Sequence, residues 1–339
     1  MKNFAYVRAT SVKDAIQRVS STESMYIAGG TNLLDRMKVF LDEPSQLVDV
    51  SRLDMGKIGR IPNGSFNGGL QIGAMVTNTM LADHPDVRRD YPLLSRAILA
   101  GASQQIRNAA TVGGNLLQRT RCPYYYDTAF VCNKRQPGTG CPAIKGYNRM
   151  HAIFGISDQG ASDQCIAVHP SDMCVALAAL DAVVEVEGAK GKRQIPFNEF
   201  HRLPGNTPQR DTSLEAGELI TSLILPSTSM ARSGVYLKLR DRTSYAFALI
   251  SVAAMLDISG GQIREARLAM GGVAHKPWRL TVAEEFLKGK PAKDSSFQEA
   301  AELALREAKP LTYNKFKIDM SKRAIRRALT VSAKGGGLV

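Results

Sequence analysis

The 339-residue sequence has a single tryptophan and only five cysteines, all of which fall between Cys122 and Cys174. Five are too few for a disulfide-dense scaffold of this length, so their clustering needs a local cause. Long apolar runs are missing as well. The longest, such as Tyr245 to Leu256, stay far below the ~20 residues that cross a bilayer and are broken by polar residues, which excludes a membrane-spanning helix. The start, Met1-Lys2-Asn3-Phe4-Ala5, lacks the basic region, apolar stretch and small-residue cleavage site of a secretory signal, so no autonomous export signal is expected. Neither a GxGxxG fingerprint nor a GxxxxGK[ST] loop is present, which leaves a Rossmann site and a P-loop without support. No Ser/His/Asp set or paired-carboxylate site stands out, and there is no internal repeat.

Acidic residues are outnumbered, 31 against 44 basic ones, for a net charge of +13. That balance suits nucleic acid, an anionic cofactor or acidic partner subunits. Lys and Arg are spread along the chain without the basic run or aromatic-and-glycine pattern of a nucleic-acid module, so nucleic-acid binding is not expected. Apolar residues at 44% and charged residues at 22% mark an ordered globular chain. Its length exceeds one hydrophobic core, so two or three packed units are expected.

Periodicity gives an α+β beginning: a helix over Ser11 to Val19, a strand over Met25 to Ala28, a helix over Asn32 to Phe40 and a strand over Gln46 to Val50. A strand near Leu70 to Ala74 and helices over Asn78 to Ala82 and Tyr91 to Ala100 follow. From Leu116 to Pro170 periodicity is lost, and Pro, Gly, Asn, Asp, Cys and Tyr dominate. Order resumes with a helix capped by Ser171 and running to about Leu180, then alternating Val183 to Glu187 and apolar Leu219 to Leu225. Pro226-Ser227-Thr228 marks a boundary. Beyond it, strands are expected at Val235 to Leu239 and Ala266 to Met270, with helices over Ala246 to Met255, Phe297 to Ala308 and Ser321 to Leu329.

Two glycine turns carry candidate chemistry. In Ile27-Ala28-Gly29-Gly30-Thr31-Asn32-Leu33-Leu34-Asp35 an apolar strand enters two glycines and leaves as a helix. Such a turn exposes backbone N–H groups to an anion, and glycine removes the Cβ that would hold a phosphate away; an ordinary turn with a Thr or Asn cap has the same residues. Arg107 to Leu117 repeats the chemistry, with Thr111, Gly113, Gly114 and Asn115. Two such turns could grip one diphosphate from both sides.

Cys122, Cys132, Cys141 and Cys165 all lie in the irregular segment. Four thiolates suit either tetrahedral zinc or an iron–sulfur cluster. No close C-x₂₋₄-C pair is present, which shifts weight from zinc toward a cluster, with a disulfide pair as the plain alternative. Residues 116 to 170 hold Arg119, Arg121, Lys134, Arg135, Lys145 and Arg149 against Asp127, Asp158 and Asp163, and positive surroundings stabilise an anionic tetrathiolate. Cys174 reads as a small buried hydrophobe, and His151 and His169 are left outside the ligand set.

The runs IAGGTNLLD, RNAATVGGNLLQ, PSDMCVALAALDA and GELITSLILP, in this order over nearly the whole chain, resemble the FAD-binding subunit of the xanthine dehydrogenase and carbon monoxide dehydrogenase family. The resemblance implies an α+β fold: a two-lobed FAD-binding domain of the vanillyl-alcohol-oxidase (PCMH) type, then a C-terminal α+β domain like that of the CO dehydrogenase flavoprotein. The expected divisions are 1–55, 56–226 with the insertion 116–170, and 227–339. It also implies that Ile27, Ala28, Gly29, Gly30, Thr31, Asn32, Leu33 and Leu34 hold the FAD pyrophosphate together with Thr111, Gly113, Gly114 and Asn115, and that Gly101, Asp172, Ile220 and Lys238 are further flavin contacts. Asp172 is equally a helix N-terminal residue, Ile220 strand core, and Lys238 part of a solvated charge run.

Within the family the GGN turn leads to the PSD motif after a short connection; the added segment here, closest in its RTRCPYYYD run, resembles the flavoprotein subunit of periplasmic-type aldehyde oxidoreductases. The subunit of 4-hydroxybenzoyl-CoA reductase is the second resemblance. Both imply an extra [4Fe-4S] cluster on Cys122, Cys132, Cys141 and Cys165, a large molybdenum-cofactor subunit and a small [2Fe-2S] subunit as partners, and electron transfer through FAD to an external acceptor. A module with structural zinc is the alternative from a different class. The compartment stays open, because relatives of this type can be carried across a membrane already folded by a partner's signal.

Overall fold

The computed structural model describes residues 1–19, 23–156 and 165–337. Asp158 and Asp163, counted above in the insertion, lie outside the described residues.

The first lobe is a small parallel sheet. Strands β1 (Ala5–Arg8), β2 (Ser24–Ile27) and β3 (Gln46–Asp49) pair in the order β1-β3-β2, with α1 (Val12–Arg18) and α2 (Leu33–Lys38) in the crossovers. Ser11 Oγ caps α1 by accepting from Asp14 N at 3.0 Å. Beneath the sheet, Ala15, Val48 and Val50 are buried with Leu53, Met55 and Leu219 of the next lobe.

The second lobe is an antiparallel sheet covered by helices. Its strands β4 (Ile58–Arg60), β5 (Leu70–Gly73), β6 (Val183–Gly188), β7 (Gly191–Pro196) and β8 (Leu219–Leu225) run in the order β4-β5-β8-β6-β7. Between β5 and β6 come α3 (Asn78–Asp83), α4 (Pro85–Asp90), α5 (Pro92–Leu99), α6 (Gln104–Ala109), α7 (Val112–Leu116), the single turn α8 (Pro123–Tyr126) and α9 (Asp172–Ala179); α10 (Phe197–Phe200) follows β7. Met173 to Ala179 are all buried, because α9 packs against α5 and also against the strands of the third lobe. Ser171 caps it, accepting from Cys174 N at 3.1 Å.

The third lobe is a four-stranded antiparallel sheet, β12-β11-β10-β9, formed by β9 (Val235–Leu239), β10 (Ile250–Ser259), β11 (Gln262–Gly271) and β12 (Trp278–Arg279). The helices α11 (Thr281–Leu287), α12 (Asp294–Ala304) and α13 (Phe316–Ala333) cover one face. The expected helix over Ala246 to Met255 is not formed, and Ile250 to Met255 belong to β10. Its apolar run is continuous because both faces are buried: Ala253 and Met255 enter the core shared with α9, while Ile250, Val252, Ala254 and Leu256 enter the core under the third-lobe helices. A strand buried on both sides loses the polar alternation that distinguishes it from a helix.

The insertion contains only α8 as regular structure among the described residues, and side chains hold its backbone. Arg135 donates to the carbonyls of Tyr124 at 2.7 Å and Tyr125 at 2.6 Å. Asn148, fully buried, donates to Ala143 O at 3.2 Å and Gly146 O at 3.1 Å and accepts from Tyr313 N at 3.0 Å. Ile153 N reaches Val273 O at 2.9 Å, and Phe154 stacks on Trp278 with ring centroids 5.1 Å apart. The segment is thereby wedged against the third lobe.

Candidate functional site

The first glycine turn leaves β2 through Ile27 and Ala28, and Gly30 takes φ +72°, the left-handed conformation that suits glycine. Ile27, Leu33 and Leu34 pack with Met37 and Leu47 beneath the turn. These apolar positions are therefore support, and what the turn offers a ligand is backbone. The N–H groups of Gly30, Thr31, Asn32 and Leu33 donate to no protein acceptor among the described residues, and Leu34 N is the first to turn back, onto Gly30 O at 3.1 Å. Consecutive free N–H groups make an anion-binding concavity. A cation stands beside it: the Arg121 guanidinium donates to the Asn32 carboxamide oxygen, and Arg121 Nε is buried without a partner.

The second turn is pressed against the first, but its chemistry is not the same. Val112 N donates to Val76 O, Gly113 N to Ala74 O (both 2.9 Å), Gly114 N to Thr111 Oγ1 at 3.2 Å and Asn115 N to Thr111 O at 2.8 Å. The carboxamide oxygen of Asn115 accepts from Gln118 and Ser171. The second turn therefore does not repeat the first at the backbone: the N–H groups of Val112 to Asn115 already have protein acceptors. Thr111, Gly113, Gly114 and Asn115 remain candidates through the hydroxyl, the amide and the missing Cβ atoms.

Asp172, Lys238 and Gly101 come together at the N-terminal end of α9. Lys238 Nζ donates to Asp172 Oδ2 at 2.7 Å and to Ala100 O at 3.0 Å, and Tyr236 Oη donates to Asp172 Oδ1 at 2.6 Å. Both ion-pair side chains are under a tenth exposed, so Lys238 is not part of a solvated charge run. Burial and the adjacent Asp172 push the Tyr236 phenol well above its ordinary range. A Cβ at Gly101 would stand 3.0 Å from Asp172 Oδ2. Ile220 lies apart, 3% exposed in the core of the five-stranded sheet opposite Val186, surroundings that support strand core. Asp172 faces a cavity of about 210 Å³ whose walls include Arg121, His151, Ser171, Phe247 and Gly272.

Cys122, Cys132, Cys141 and Cys165 line a single second cavity, and all four are free thiols. Three are half-buried and Cys165 is buried. Burial pushes the Cys122 thiol up to about 12 and that of Cys165 up to about 11, and raises that of Cys141. Backbone N–H groups work against it, those of Tyr125 and Tyr124 at Cys122, of Ile166, Ala143 and Ile144 at Cys141, and of Ala167 at Cys165. Four sulfurs on one cavity offer the ligands of a metal centre, and N–H donors to sulfur suit the charge of such a centre. The donor set therefore fits a four-thiolate metal group. At its edge, buried Lys134 pairs with Asp211, which also accepts from Arg119 Nε at 2.8 Å. Burial raises the Asp211 carboxyl, but Lys134 and Arg119 outweigh it and hold the group well below the usual carboxylate range.

Sequence reasoning passed over two residues that the structure brings in. His151 Nε2 lies 3.1 Å from Cys122 Sγ; nothing in its local sequence signals this, since the two stand 29 positions apart. Arg121 was counted only as charge, and its place beside Asn32 depends on the insertion folding back on the first lobe. Cys174 is fully buried; its sulfur and the ring nitrogens of buried His169 and His201 lie within 4.8 Å of one another.

Comparison with known proteins matches two family models to the chain. Residues 2–228 match the FAD-binding domain of molybdopterin dehydrogenases, and residues 235–330 match the CO dehydrogenase flavoprotein C-terminal domain. The aldehyde oxidoreductase FAD-binding subunit PaoB of Escherichia coli K12 is 47% identical over 97% of this chain and 98% of its own length. The glyceraldehyde dehydrogenase medium chain of Sulfolobus acidocaldarius is 26% identical over 88% and 85%. Quinoline 2-oxidoreductase of Pseudomonas putida 86 has a chain of the same fold, with 25% identity, TM-score 0.74 and 99% of both chains covered. In CO dehydrogenase of Oligotropha carboxidovorans, identity is 22%, the TM-score 0.76 and the coverage again 99% of both, a likeness of fold. The chain thus belongs to the FAD-binding medium subunits of the molybdenum hydroxylase family.

Proposed function

We propose that this chain is the electron-transfer subunit of a heterotrimeric molybdenum-dependent aldehyde oxidoreductase, carrying FAD and one [4Fe-4S] cluster. Residues 1–55 and 56–226 would form the two flavin-binding lobes and 227–339 the C-terminal domain, with a large molybdenum-cofactor subunit and a small [2Fe-2S] subunit as partners. The observation that carries the reading beyond the family is the convergence of Cys122, Cys132, Cys141 and Cys165 on one cavity inside an otherwise irregular insertion.

When bound, FAD and the cluster supply the electron exchange, and the protein supplies position and electrostatics. The free N–H groups of Gly30 to Leu33 and the Arg121 guanidinium bind and neutralise the pyrophosphate. The Asp172–Lys238 pair, held by Tyr236 and Ala100 O, gives the cavity wall a rigid polar edge that orients a flavin ring. The four cysteines hold the cluster, with Arg119 and Lys134 nearby.

The test is anaerobic mixing of the assembled complex with an aromatic aldehyde, following the flavin absorbance near 450 nm. Bleaching by the aldehyde supports the reading. No bleaching by the aldehyde, together with re-oxidation of the reduced flavin by 4-hydroxybenzoyl-CoA, would assign the chain to the second enzyme class, and a complex without flavin absorbance overturns both.

A further inference from the structure

His151 stands in the wall between the two cavities. It is 3% exposed, and with Thr120 and Cys122 it lines both the cysteine cavity and the larger one facing Asp172. Its Nε2 is 3.1 Å from Cys122 Sγ, while its Nδ1 is buried with no hydrogen-bond partner among the described residues. Sulfur bound to a metal carries no proton, so at this separation the contact is attractive only when Nε2 holds a ring proton. The residue is also anchored: its N–H reaches Asn148 O at 3.1 Å, and its carbonyl accepts from Lys317 Nζ at 2.9 Å and Asn314 Nδ2 at 3.2 Å.

Resting on the reading that the four cysteines hold a [4Fe-4S] cluster, we propose that His151 is a positioning residue for Cys122 whose Nε2–H donates to the ligating sulfur and raises the cluster's reduction potential. Reduction adds one electron, and the sulfurs share the added charge. A fixed N–H donor therefore stabilises the reduced cluster more than the oxidised one. The Cys141 and Cys165 sulfurs take backbone N–H donors. Cys122 has this side-chain donor in addition, which a substitution can remove.

The experiment is a redox titration of the assembled complex followed by EPR, taking as this cluster's signal the one absent from the Cys132→Ser variant. His151→Leu removes the N–H, and His151→Gln returns an N–H at the Nε2 position. A tenfold loss of bias toward the reduced state corresponds to about 59 mV for a one-electron couple. The expected result is a midpoint lowered by about that amount in His151→Leu and restored toward the wild-type value in His151→Gln, with iron and FAD contents unchanged. Pulsed EPR of the wild-type complex labelled with ¹⁵N-histidine supplies a check that needs no variant: a hyperfine-coupled histidine nitrogen is expected on the same signal. An unchanged midpoint in His151→Leu, absence of that coupling, or a wild-type cluster that cannot be reduced overturns the inference while leaving the four-cysteine reading intact. Wild-type chain without iron overturns the reading itself.

Discussion

A Cβ built on Gly29 would fall 1.9 Å from the carbonyl oxygen of Ala109. The first glycine turn is therefore packed backbone to backbone against the end of α6, just before the second turn, and no side chain fits between them. Gly114 is different, since a Cβ there meets only Thr111 Oγ1, at 3.1 Å.

That difference separates packing from ligand approach. Gly114→Ala is expected to leave thermal stability close to wild type while lowering bound FAD, because the added methyl group occupies the space through which a phosphate approaches. Gly29→Ala is expected to lower both. Flavin content by absorbance after gel filtration, alongside a thermal melt, distinguishes the two; a Gly114→Ala protein with stoichiometric FAD contradicts the placement of the pyrophosphate.

Lys238→Met leaves the Asp172 carboxylate buried and without its cation. Breaking a buried pair by deleting one partner costs about 3–5 kcal/mol. Lys238→Met should lose stability on that scale, and Asp172→Asn/Lys238→Met should recover part of it. Denaturant midpoints of the two single variants and the double variant, compared as a cycle, check this; strictly additive losses would show that the pair is not coupled.

Lys317 is expected to give the stability curve an alkaline slope. Burial, with a smaller push from Arg149, lowers its folded pKa to about 7, against roughly 10.4 in an unfolded chain. Between those values the unfolded chain binds a proton that the folded one does not, so stability rises with pH, by up to about 1.4 kcal/mol per unit, and the slope vanishes below the folded value. Urea midpoints of wild type and Lys317→Met across this window should diverge as pH rises; parallel curves would show that the amine stays charged in the fold.

Cys132→Ser is expected to remove the iron of the insertion while leaving FAD bound. The free N–H groups of Gly30 to Leu33 lie in the first lobe and use no residue of the cysteine cavity. Iron and flavin assays on the same sample check it, and equal loss of both would show that the two sites fold as one.

Much of this site was legible in the residues. The strand entering Gly29 and Gly30, the cap at Ser171 and the four clustered cysteines are local signals, and each lies on the element its spacing implies. What escaped depends on tertiary burial. Ile250 to Leu256 alternates between two cores instead of between core and water, so its strand period is invisible in the sequence. The second turn reads like the first, yet the N–H groups of Val112 and Gly113 are taken up by Val76 and Ala74, residues just beyond β5 that no local pattern links to it. His151 meets Cys122 across a loop without periodicity, and Lys238 reads as a surface charge until Asp172 is packed against it.

On the proposed reading, one chain carries a flavin and a four-cysteine iron–sulfur cluster at separate sites. Metal and flavin analysis of the chain purified without air tests it most directly. A yellow-brown protein with one FAD and about four irons per chain, the number a [4Fe-4S] cluster requires, is the expected result. A colourless protein with one zinc and no iron would contradict it.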